Sequence, residues 1–334
     1  MNFAVLGNGG FGTAMAISLQ RAGHGVRLWG HDPAYTAELA LTRANPRYLP
    51  DVVLPQGVQV GSDAREALRG AEAILLAVPT QHVRGVLEGL RPVVPPGVPV
   101  VSLAKGLEQR TALRPSQVVR HVLEERNPVL ALSGPSHAEE VARGVPTTVV
   151  LAGASEHEAV VVRMQEALAS RTFRVYRNRD LLGVEICGAL KNVIALAAGI
   201  ADGLGLGDNT KAAVLSRGIV EMARFGVAEG ADLHTFFGLA GVGDLAVTAY
   251  SRHGRNRAFG ERIGRGEAVE QILASTRKVA EGVWTAGVVH QRASDLGVDV
   301  PICDAVHAVL FGGVAPRAMV QRLMERDPRD ETWT

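Results

Sequence analysis

A glycine-rich loop within the first dozen residues constrains the fold more than any other feature of the chain. The apolar run Phe3-Ala4-Val5-Leu6 precedes the loop Gly7-Asn8-Gly9-Gly10-Phe11-Gly12, and a helical pattern at residues 14–19 follows it. A strand, a G-x-G-x-x-G loop and a helix in this order are typical of a dinucleotide-binding βαβ unit. The glycines allow a tight turn, close approach of the backbone to a pyrophosphate, and close packing of helix on strand. The chain is therefore predicted to begin with a Rossmann-type unit.

The next strand completes this unit at the expected distance. Residues 23–25 end the helix, residues 26–29 read as a strand, and Asp32 follows Gly12 by 20 residues. An acidic residue at this distance is expected to bind the adenosine ribose. A carboxylate repels a 2′-phosphate and so favours NAD, whereas His31 and Arg27 could offset that charge. The choice between NAD and NADP stays open at this point.

The first half of the chain alternates between strand and helix patterns. Further apolar runs predict strands at residues 58–60, 73–78, 98–103, 129–132, 147–151 and 173–176. Helices are predicted at residues 63–68 and 81–90, and a loop rich in Pro and Asn at residues 45–50. Continuous apolar runs are typical of strands that are covered on both faces. The expected fold class is therefore α/β, with a mainly parallel, doubly wound sheet.

The second half has a different character. A chain of 334 residues is long enough for two domains. After Asp180 the strand signal disappears, and helical patterns with glycine-rich breaks remain. We expect an NAD(P)-binding Rossmann-type domain at residues 1–180, an all-helical substrate and catalytic domain at residues 181–328, and a polar tail at residues 329–334.

Composition excludes several classes of function. The net charge is +1 with 21% charged residues, which does not favour binding to nucleic acid or to an anionic membrane. Cys187 and Cys303 lie in apolar settings without a CxxC partner, so neither a disulfide framework nor a metal site is suggested. The N-terminus runs directly into the first strand without a signal-peptide pattern, so we expect a cytoplasmic protein.

An apolar segment at residues 186–201 carries the strongest candidate for catalysis. Every residue in it is apolar or glycine except Lys191 and Asn192. It is shorter than the ~20 apolar residues that span a membrane, so it is predicted to be a buried helix. Burial generally lowers the pKa of a lysine, which suits a general acid or base near neutral pH. The alternative is a lysine whose amine reaches solvent.

A basic cluster points to a phosphate. Residues 252–257 contain three arginines and Asn256, just after the glycine-rich turn at residues 241–244. Guanidinium groups bind phosphate oxygens in a bidentate manner. A nucleic-acid patch is disfavoured, because the net charge is near neutral and no aromatic residues are interleaved. A solvated start of a helix is the other alternative.

Several of these motifs together resemble the NAD(P)-dependent sn-glycerol-3-phosphate dehydrogenases. The resemblance spans nearly the whole chain and includes the loop at residues 7–12, Leu103-Ala104-Lys105-Gly106, residues 132–140, residues 188–193, Gly243-Asp244-Leu245, Arg255-Asn256-Arg257 and residues 279–282. It implies an all-helical second domain and interconversion of dihydroxyacetone phosphate and sn-glycerol 3-phosphate, which in bacteria supplies glycerophospholipid biosynthesis. It also implies a homodimer with a small-molecule substrate and without nucleic-acid binding or membrane insertion.

The resemblance also assigns roles to individual residues. Lys191 would be the catalytic acid/base, oriented by Asp244, with Asn192 near the reacting centre. The expected substrate contacts are Lys105, Gly134, Ser136, Lys191, Asp244, Gly254, Arg255 and Asn256. The expected coenzyme contacts are Gly7, Gly9, Gly10, Phe11, Gly12, His31, Lys105, Ala138, Arg255, Val279 and Glu281. Many bacterial members have serine where this chain has Gly254, so only a backbone N–H is expected to contact the phosphate there.

Two other functions stay open. A reductase of the ketopantoate or β-hydroxyacid type shares the domain layout and a catalytic lysine, but its substrates carry a carboxylate. Such enzymes do not share residues 133–138 and 255–257 in this form. A non-catalytic dinucleotide sensor is the other alternative, and it would have no use for Lys191 within an apolar helix.

Overall fold

The chain divides into two compact units. The computed structural model describes residues 1–251, 254–275, 280–328 and 330–331. Unit 1 comprises Met1–Lys105 and Leu113–Val184, and unit 2 comprises Gly106–Ala112 and the chain from Glu185 onward. The segment Gly106–Ala112 therefore belongs to unit 2, although it lies within the sequence range expected for the first domain. A short connecting segment has no periodic pattern that indicates the core on which it packs.

Unit 1 contains ten strands and seven helices among its described residues. The strands are β1 (Asn2–Leu6), β2 (Gly25–Trp29), β3 (Ala44–Asn45), β4 (Leu49–Val53), β5 (Val58–Gly61), β6 (Ala73–Leu76), β7 (Val100–Ser102), β8 (Val129–Ser133), β9 (Thr147–Gly153) and β10 (Phe173–Asn178). The helices are α1 (Gly10–Arg21), α2 (Pro33–Thr42), α3 (Ala64–Leu68), α4 (Thr80–Leu90), α5 (Pro115–Leu123), α6 (Ala138–Arg143) and α7 (Glu158–Leu168). Each strand predicted from the sequence is present, with bounds that differ by at most two residues.

Eight of these strands form one sheet in the order β10-β9-β8-β7-β6-β1-β2-β5. All neighbouring pairs are parallel except β8 and β9. Alternate residues of a strand face opposite sides of the sheet. Phe3 and Val5 accordingly belong to one apolar core with residues of α1 and α7, whereas Ala4 and Leu6 belong to another with residues of α4 and α5. The predicted doubly wound α/β sheet is confirmed.

Residues 45–50 differ from the prediction of a loop. β3 and β4 form a separate two-stranded antiparallel sheet in this region. Its geometry depends on the buried side chain of Asn45, whose Oδ1 accepts hydrogen bonds from the Tyr35 hydroxyl and from the Tyr48 N–H. A pattern rich in Pro and Asn predicts a loop because it lacks apolar alternation, and these side-chain contacts have no local sequence signature.

The regular secondary structure of unit 2 consists of helices in the part of the chain that the structure describes. After α8 (Leu181–Gly203), which begins in unit 1, it contains α9 (Gly207–Ala228), α10 (Leu233–Phe236), a π-helical turn (Leu239–Gly243), α11 (Asp244–Tyr250), α12 (Arg255–Gly264), α13 (Val269–Ser275), α14 (Glu281–Leu296), α15 (Pro301–Phe311) and α16 (Pro316–Met324). α8 is long and apolar enough to cross a membrane by length and composition, but 89% of its most apolar 18-residue window is buried within the protein. This agrees with the prediction of a buried helix.

Glycines let α8 and α12 lie backbone against backbone. A Cβ atom at Gly199 would lie 2.0 Å from the Arg257 carbonyl oxygen, and one at Gly260 would lie 2.2 Å from the Leu196 carbonyl oxygen. Both distances are far below van der Waals contact, so any other residue would force the two helices apart. The close approach brings the beginning of α12 next to the middle of α8, where Lys191 and Asn192 lie.

A buried acid stabilises the beginning of α15. Glu221 of α9 is 3% exposed, and its carboxylate accepts hydrogen bonds from the N–H groups of Ile302 and Cys303. These donors belong to the first turn of a helix, whose N–H groups have no partner within the helix. Burial raises the pKa of Glu221 to about 7, although the two backbone hydrogen bonds act in the opposite direction.

We predict that Glu221 makes the stability of the protein fall as pH rises. Its pKa is higher in the folded state than the ordinary 4.5, so the folded chain binds the proton more tightly than the unfolded chain. The stabilisation is complete below pH 4.5 and is lost as pH rises through about 7, up to about 3 kcal/mol. The melting temperature of Glu221→Gln should therefore depend less on pH between 5 and 8. Glu270→Gln, at an exposed position, is the control, and equal slopes for Glu221→Gln and wild type would refute the prediction.

Candidate active site

The glycine loop lies at the carboxyl end of β1 and begins α1. Gly7 has a φ of +116°, and a Cβ there would lie 2.6 Å from the Ala77 carbonyl oxygen. A Cβ at Gly12 would lie 1.9 Å from the Gly7 carbonyl oxygen, whereas one at Gly9 would have no atom within 4 Å. Gly7 thus permits the turn, Gly12 permits the close packing, and Gly9 leaves an open backbone at the helix N-terminus. This geometry fits a dinucleotide pyrophosphate.

Two further predicted coenzyme contacts lie beside the loop. A Cβ at Gly10 would lie 3.7 Å from the Cβ of Ala138, the first residue of α6. Phe11 is partly buried and packs against the apolar core of unit 1. The same Gly10 position faces the Tyr48 carbonyl oxygen at 2.8 Å. Sequence reasoning did not select Tyr48, because it lies in the segment that was predicted to be an irregular loop.

Buried polar side chains hold the loop in place. The Asn45 amide donates hydrogen bonds to the Asn8 carbonyl oxygen at 2.9 Å and to Thr13 Oγ1 at 2.8 Å. The Asn8 amide donates to Thr36 Oγ1 at 3.1 Å. Because these groups are buried, losing one partner would leave a desolvated polar atom that costs about 1–3 kcal/mol. The loop therefore has a defined conformation that β3 and α2 support.

His31 and Asp32 follow β2, at the point where the ribose of a dinucleotide is expected. His31 is exposed. Asp32 caps the N-terminus of α2, because its Oδ1 accepts a hydrogen bond from the Tyr35 N–H at 3.1 Å. Arg27 points to other partners, since its guanidinium donates to Gln59 Oε1 and to the Arg69 carbonyl oxygen. The ion pair of Asp32 is made by Arg47, at 3.6 Å.

Three of the predicted substrate contacts in unit 1 converge on one carbonyl group. Lys105 Nζ donates to the Gly134 carbonyl oxygen at 3.0 Å, and Ser136 Oγ donates to the same oxygen at 2.9 Å. Lys105 follows β7 and Gly134 follows β8, and these two strands are parallel neighbours. The carboxyl ends of parallel strands meet at one edge of the sheet, which is where ligands of such folds bind.

Lys191 lies in unit 2 within a buried polar cluster. It is 6% exposed, and its Nζ donates to Asp244 Oδ1 at 2.6 Å and to Thr248 Oγ1 at 2.8 Å. The Thr248 hydroxyl in turn donates to the Asp244 carbonyl oxygen at 2.6 Å. The contact of Lys191 with Asp244 was expected, whereas the contact with Thr248 was not. Thr248 could have been found from its spacing of four residues from Asp244, which places both side chains on the same face of α11.

The segment before α11 helps to place Asp244. The π-helical turn Leu239–Gly243 leads directly into this helix, and Asp244 is its first residue. π-Helical turns widen a helix locally and are frequent at functional sites. Asp244 is 1% exposed, so its carboxylate requires a cation or hydrogen-bond donors, and the ammonium of Lys191 supplies both.

Asn192 and Asn256 form a second buried pair. The Asn256 amide donates to Asn192 Oδ1 at 2.8 Å, and Asn256 Oδ1 accepts from the Gly282 N–H at 3.0 Å. Asn256 therefore connects α8 and α12 with the beginning of α14. Glu281, the first residue of α14, is buried beside this contact. Val279, which was predicted to contact the coenzyme, lies outside the described residues.

The arginines of the basic cluster have different environments. Arg255 is exposed as the first residue of α12. Arg257 forms ion pairs with Asp202 and Glu261, both at 3.0 Å. Arg252 lies outside the described residues. The expectation that this cluster binds a phosphate stays a prediction, and the ion pairs of Arg257 leave Arg255 as the more accessible arginine of the two.

The N–H of Gly254 already has a backbone partner. Its N–H donates to the Ser251 carbonyl oxygen at 3.2 Å, so the expected contact of this N–H with a phosphate would compete with a backbone hydrogen bond. A Cβ at Gly254 would lie 2.6 Å from the Thr248 carbonyl oxygen. A serine at this position would therefore require the backbone to shift away from Thr248.

Comparisons with known proteins agree on one family. A family model described as the N-terminus of NAD-dependent glycerol-3-phosphate dehydrogenase matches residues 2–159, and the corresponding C-terminal model matches residues 180–321. A protein of Salinibacter ruber named glycerol-3-phosphate dehydrogenase, NAD(P)+, is 46% identical and covers 99% of this chain and 97% of its own length. The crystal structure of glycerol-3-phosphate dehydrogenase from Coxiella burnetii superposes with a TM-score of 0.92 at 35% identity, covering 97% of this chain and 99% of its own.

A more distant structure bears on the alternative reductase. A ketopantoate reductase from Ralstonia eutropha covers 97% of this chain and 100% of its own with a TM-score of 0.61, at 17% identity. At that identity the similarity shows a shared fold alone. The alternative of a ketopantoate-type reductase is therefore not favoured.

We predict that substitutions at two glycines of the loop have different effects, one on the stability of the protein and the other on dinucleotide binding. Gly12→Ala places a methyl group against the Gly7 carbonyl oxygen, so it should destabilise the protein by about 1–3 kcal/mol. Gly9→Ala has open space, so its melting temperature should match wild type while dinucleotide binding weakens, because the methyl group lies where the pyrophosphate approaches. Thermal unfolding and the fluorescence of bound reduced nicotinamide measure the two effects. A Gly9→Ala variant that binds as tightly as wild type would contradict this placement.

Proposed function

The chain belongs to the glycerol-3-phosphate dehydrogenase family, and from that premise we propose which of its residues interconvert dihydroxyacetone phosphate and sn-glycerol 3-phosphate. The protein is an NAD(P)-dependent oxidoreductase that acts on a CH–OH group. The coenzyme, when bound, supplies the hydride that is exchanged with C2 of the substrate. The residues of the protein supply position, charge and a proton.

The buried cluster around Lys191 carries the proposal. The Lys191 ammonium protonates the C2 oxygen during reduction and accepts that proton in the reverse direction. Its positive charge also stabilises the negative charge that develops on this oxygen in the transition state. The support is the geometry of the cluster, in which Asp244 and Thr248 both lie within 2.8 Å of Nζ. Asp244 offsets the positive charge of the ammonium within apolar surroundings, and Thr248 fixes the direction of Nζ.

Arginine and amide groups at the beginning of α12 hold the substrate phosphate. Arg255 offers a planar fork of donors, and the first N–H groups of α12 favour an anion. Asn256 contributes its amide, in a position that Asn192 and Gly282 define. Tight binding of the remote phosphate orients C2 and so contributes to the rate.

Unit 1 holds residues that we assign to each of the two ligands. We assign Lys105, Gly134 and Ser136 to the substrate, since a cation and a hydroxyl converge there on one carbonyl oxygen. The loop from Gly7 to Gly12 binds the pyrophosphate through the N-terminus of α1, with Phe11 and Ala138 beside it. The family resemblance adds His31, Lys105, Arg255, Val279 and Glu281 as coenzyme contacts.

The physiological setting follows from the family resemblance alone. We propose that the protein is a cytoplasmic homodimer that supplies sn-glycerol 3-phosphate for glycerophospholipid biosynthesis. Sedimentation velocity of the purified chain measures its oligomeric state, and a monomer at micromolar concentration would contradict the dimer.

The reaction itself is tested by mixing the purified protein with dihydroxyacetone phosphate and reduced coenzyme. Loss of nicotinamide absorbance that depends on dihydroxyacetone phosphate is the expected result, with ketopantoate as the control substrate. Oxidation that depends on ketopantoate and not on dihydroxyacetone phosphate would replace this function with the carboxylate-specific reductase. Binding of coenzyme without turnover of either substrate would favour a dinucleotide sensor.

We predict that Lys191→Met lowers kcat by about 10²-fold or more, because it removes the group that we propose to transfer the proton. Coenzyme affinity should stay unchanged. Thr248→Val should lower kcat by a smaller factor, since it removes only the hydroxyl that fixes Nζ, and Thr248→Ser should restore most of the activity. Steady-state kinetics and coenzyme titration measure these effects. An unchanged kcat in Lys191→Met would exclude Lys191 from the chemistry.

A further inference from the structure

The carboxylate of Asp32 is already engaged within unit 1. One oxygen accepts the Tyr35 N–H and so caps α2, and the other lies 3.6 Å from Arg47 Nη1. The hydrogen bond from the Tyr35 N–H holds the pKa of Asp32 below its usual value, and the nearby Arg47 guanidinium acts in the same direction. Asp32 therefore lies in an ion pair at the end of β2 and is not an isolated negative charge.

The guanidinium of Arg47 has a defined position. Its central carbon lies 4.0 Å from the ring centroid of Tyr35 and 5.9 Å from that of Tyr48. The two rings pack edge to face, at 5.8 Å between centroids. Stacking on aromatic rings orients the plane of a guanidinium and leaves its N–H edge available to an anion. The Arg47 side chain is 39% exposed, so a ligand in solution can reach it.

The position of Arg47 is also coupled to the phosphate-binding loop. The Tyr35 hydroxyl donates to Asn45 Oδ1, and the Asn45 amide donates to the Asn8 carbonyl oxygen at 2.9 Å within the glycine loop. The backbone N–H of Arg47 donates to the Tyr35 hydroxyl at 3.4 Å. The side chains of Tyr35 and Asn45, in series, therefore connect the backbone of Arg47 to the glycine loop.

Ligand chemistry then decides what Arg47 recognises. In Rossmann-type units the end of the second strand faces the adenosine ribose, and an arginine near the ribose acid accommodates a 2′-phosphate. A guanidinium has five N–H donors, and contact with one carboxylate oxygen leaves donors for a phosphate. Arg27 cannot serve in this way in the observed conformation, because its guanidinium donates to Gln59 and to the Arg69 carbonyl oxygen.

We propose that Arg47 is the residue through which this protein selects a 2′-phosphorylated coenzyme, and that NADPH binds more tightly than NADH because of it. The proposal rests on the proposed function, since it concerns the coenzyme of the same reaction. Asp32 keeps its role as the cap of α2 and opposes the phosphate by its charge, so the preference depends on Arg47.

The test measures binding without any substrate. Wild type, Arg47→Gln and Arg27→Gln are titrated with NADPH and with NADH by nicotinamide fluorescence, and with 2′,5′-ADP and 5′-ADP by calorimetry. Arg47→Gln should weaken the binding of NADPH and of 2′,5′-ADP about tenfold or more. The binding of NADH and of 5′-ADP should weaken less than about threefold. Arg27→Gln is the matched control and should leave the ratio of NADPH to NADH affinity at its wild-type value.

Asp32→Asn provides a second variant that keeps the helix cap, because an asparagine side chain also accepts the Tyr35 N–H. It removes the negative charge beside the 2′-phosphate, so the affinity for NADPH should rise relative to the affinity for NADH. The melting temperatures of both variants should stay close to wild type.

Each other outcome overturns the proposal. An equal loss of NADPH and NADH affinity in Arg47→Gln would mean that Arg47 supports the loop and not the 2′-phosphate. Wild-type protein that binds NADH as tightly as NADPH would also overturn it. Failure of the proposed function looks different, because it would appear as coenzyme that binds with the expected selectivity and is not oxidised by dihydroxyacetone phosphate.

Discussion

The buried ammonium of Lys191 constrains the architecture of unit 2. A charge in an apolar helix is tolerated only with an opposite charge and hydrogen-bond partners, and removing one partner of a buried ion pair typically costs about 3–5 kcal/mol. The Asp244 carboxylate and the Thr248 hydroxyl meet this need. Both belong to α11, so this helix has to lie against the middle of α8. The group that the chemistry needs is thus also a group that fixes the packing of two helices.

Close glycine contacts and the asparagine pair extend this arrangement to the next helices. Gly199 and Gly260 allow α8 and α12 to touch through their backbones. That approach brings Asn256 within hydrogen-bond distance of Asn192, and Asn256 also holds the Gly282 N–H at the beginning of α14. The proposed phosphate-binding end of α12 is therefore fixed relative to Lys191 by backbone packing and by buried amides, which are more rigid than surface ion pairs.

In unit 1 the sequence predicts those elements whose pattern is formed by residues close together in the chain. The glycine loop and the strands of the sheet were predicted, because alternation, apolar runs and glycine spacing are properties of adjacent residues. In unit 2, Lys191 could be recognised in the same way, because a cation within an apolar helix is visible in the sequence. β3, β4 and the partners of Asn45 were missed, since their geometry depends on side chains that meet from distant parts of the chain.

The same distinction separates the residues of the basic cluster and of the coenzyme end. The basic pattern at residues 252–257 does not show which arginine is paired, and the sequence offers Arg27 and His31 near Asp32 without a sign of Arg47. In the folded protein Arg257 forms ion pairs with Asp202 and Glu261. Arg27 donates a hydrogen bond to Gln59, and Arg47 forms the ion pair with Asp32. The sequence by itself determined the fold class, the family and the candidate acid/base, because these depend on periodicity and on motifs in order. Only the tertiary structure decided which charges pair, because an ion pair depends on distances of a few ångströms between residues far apart in the chain.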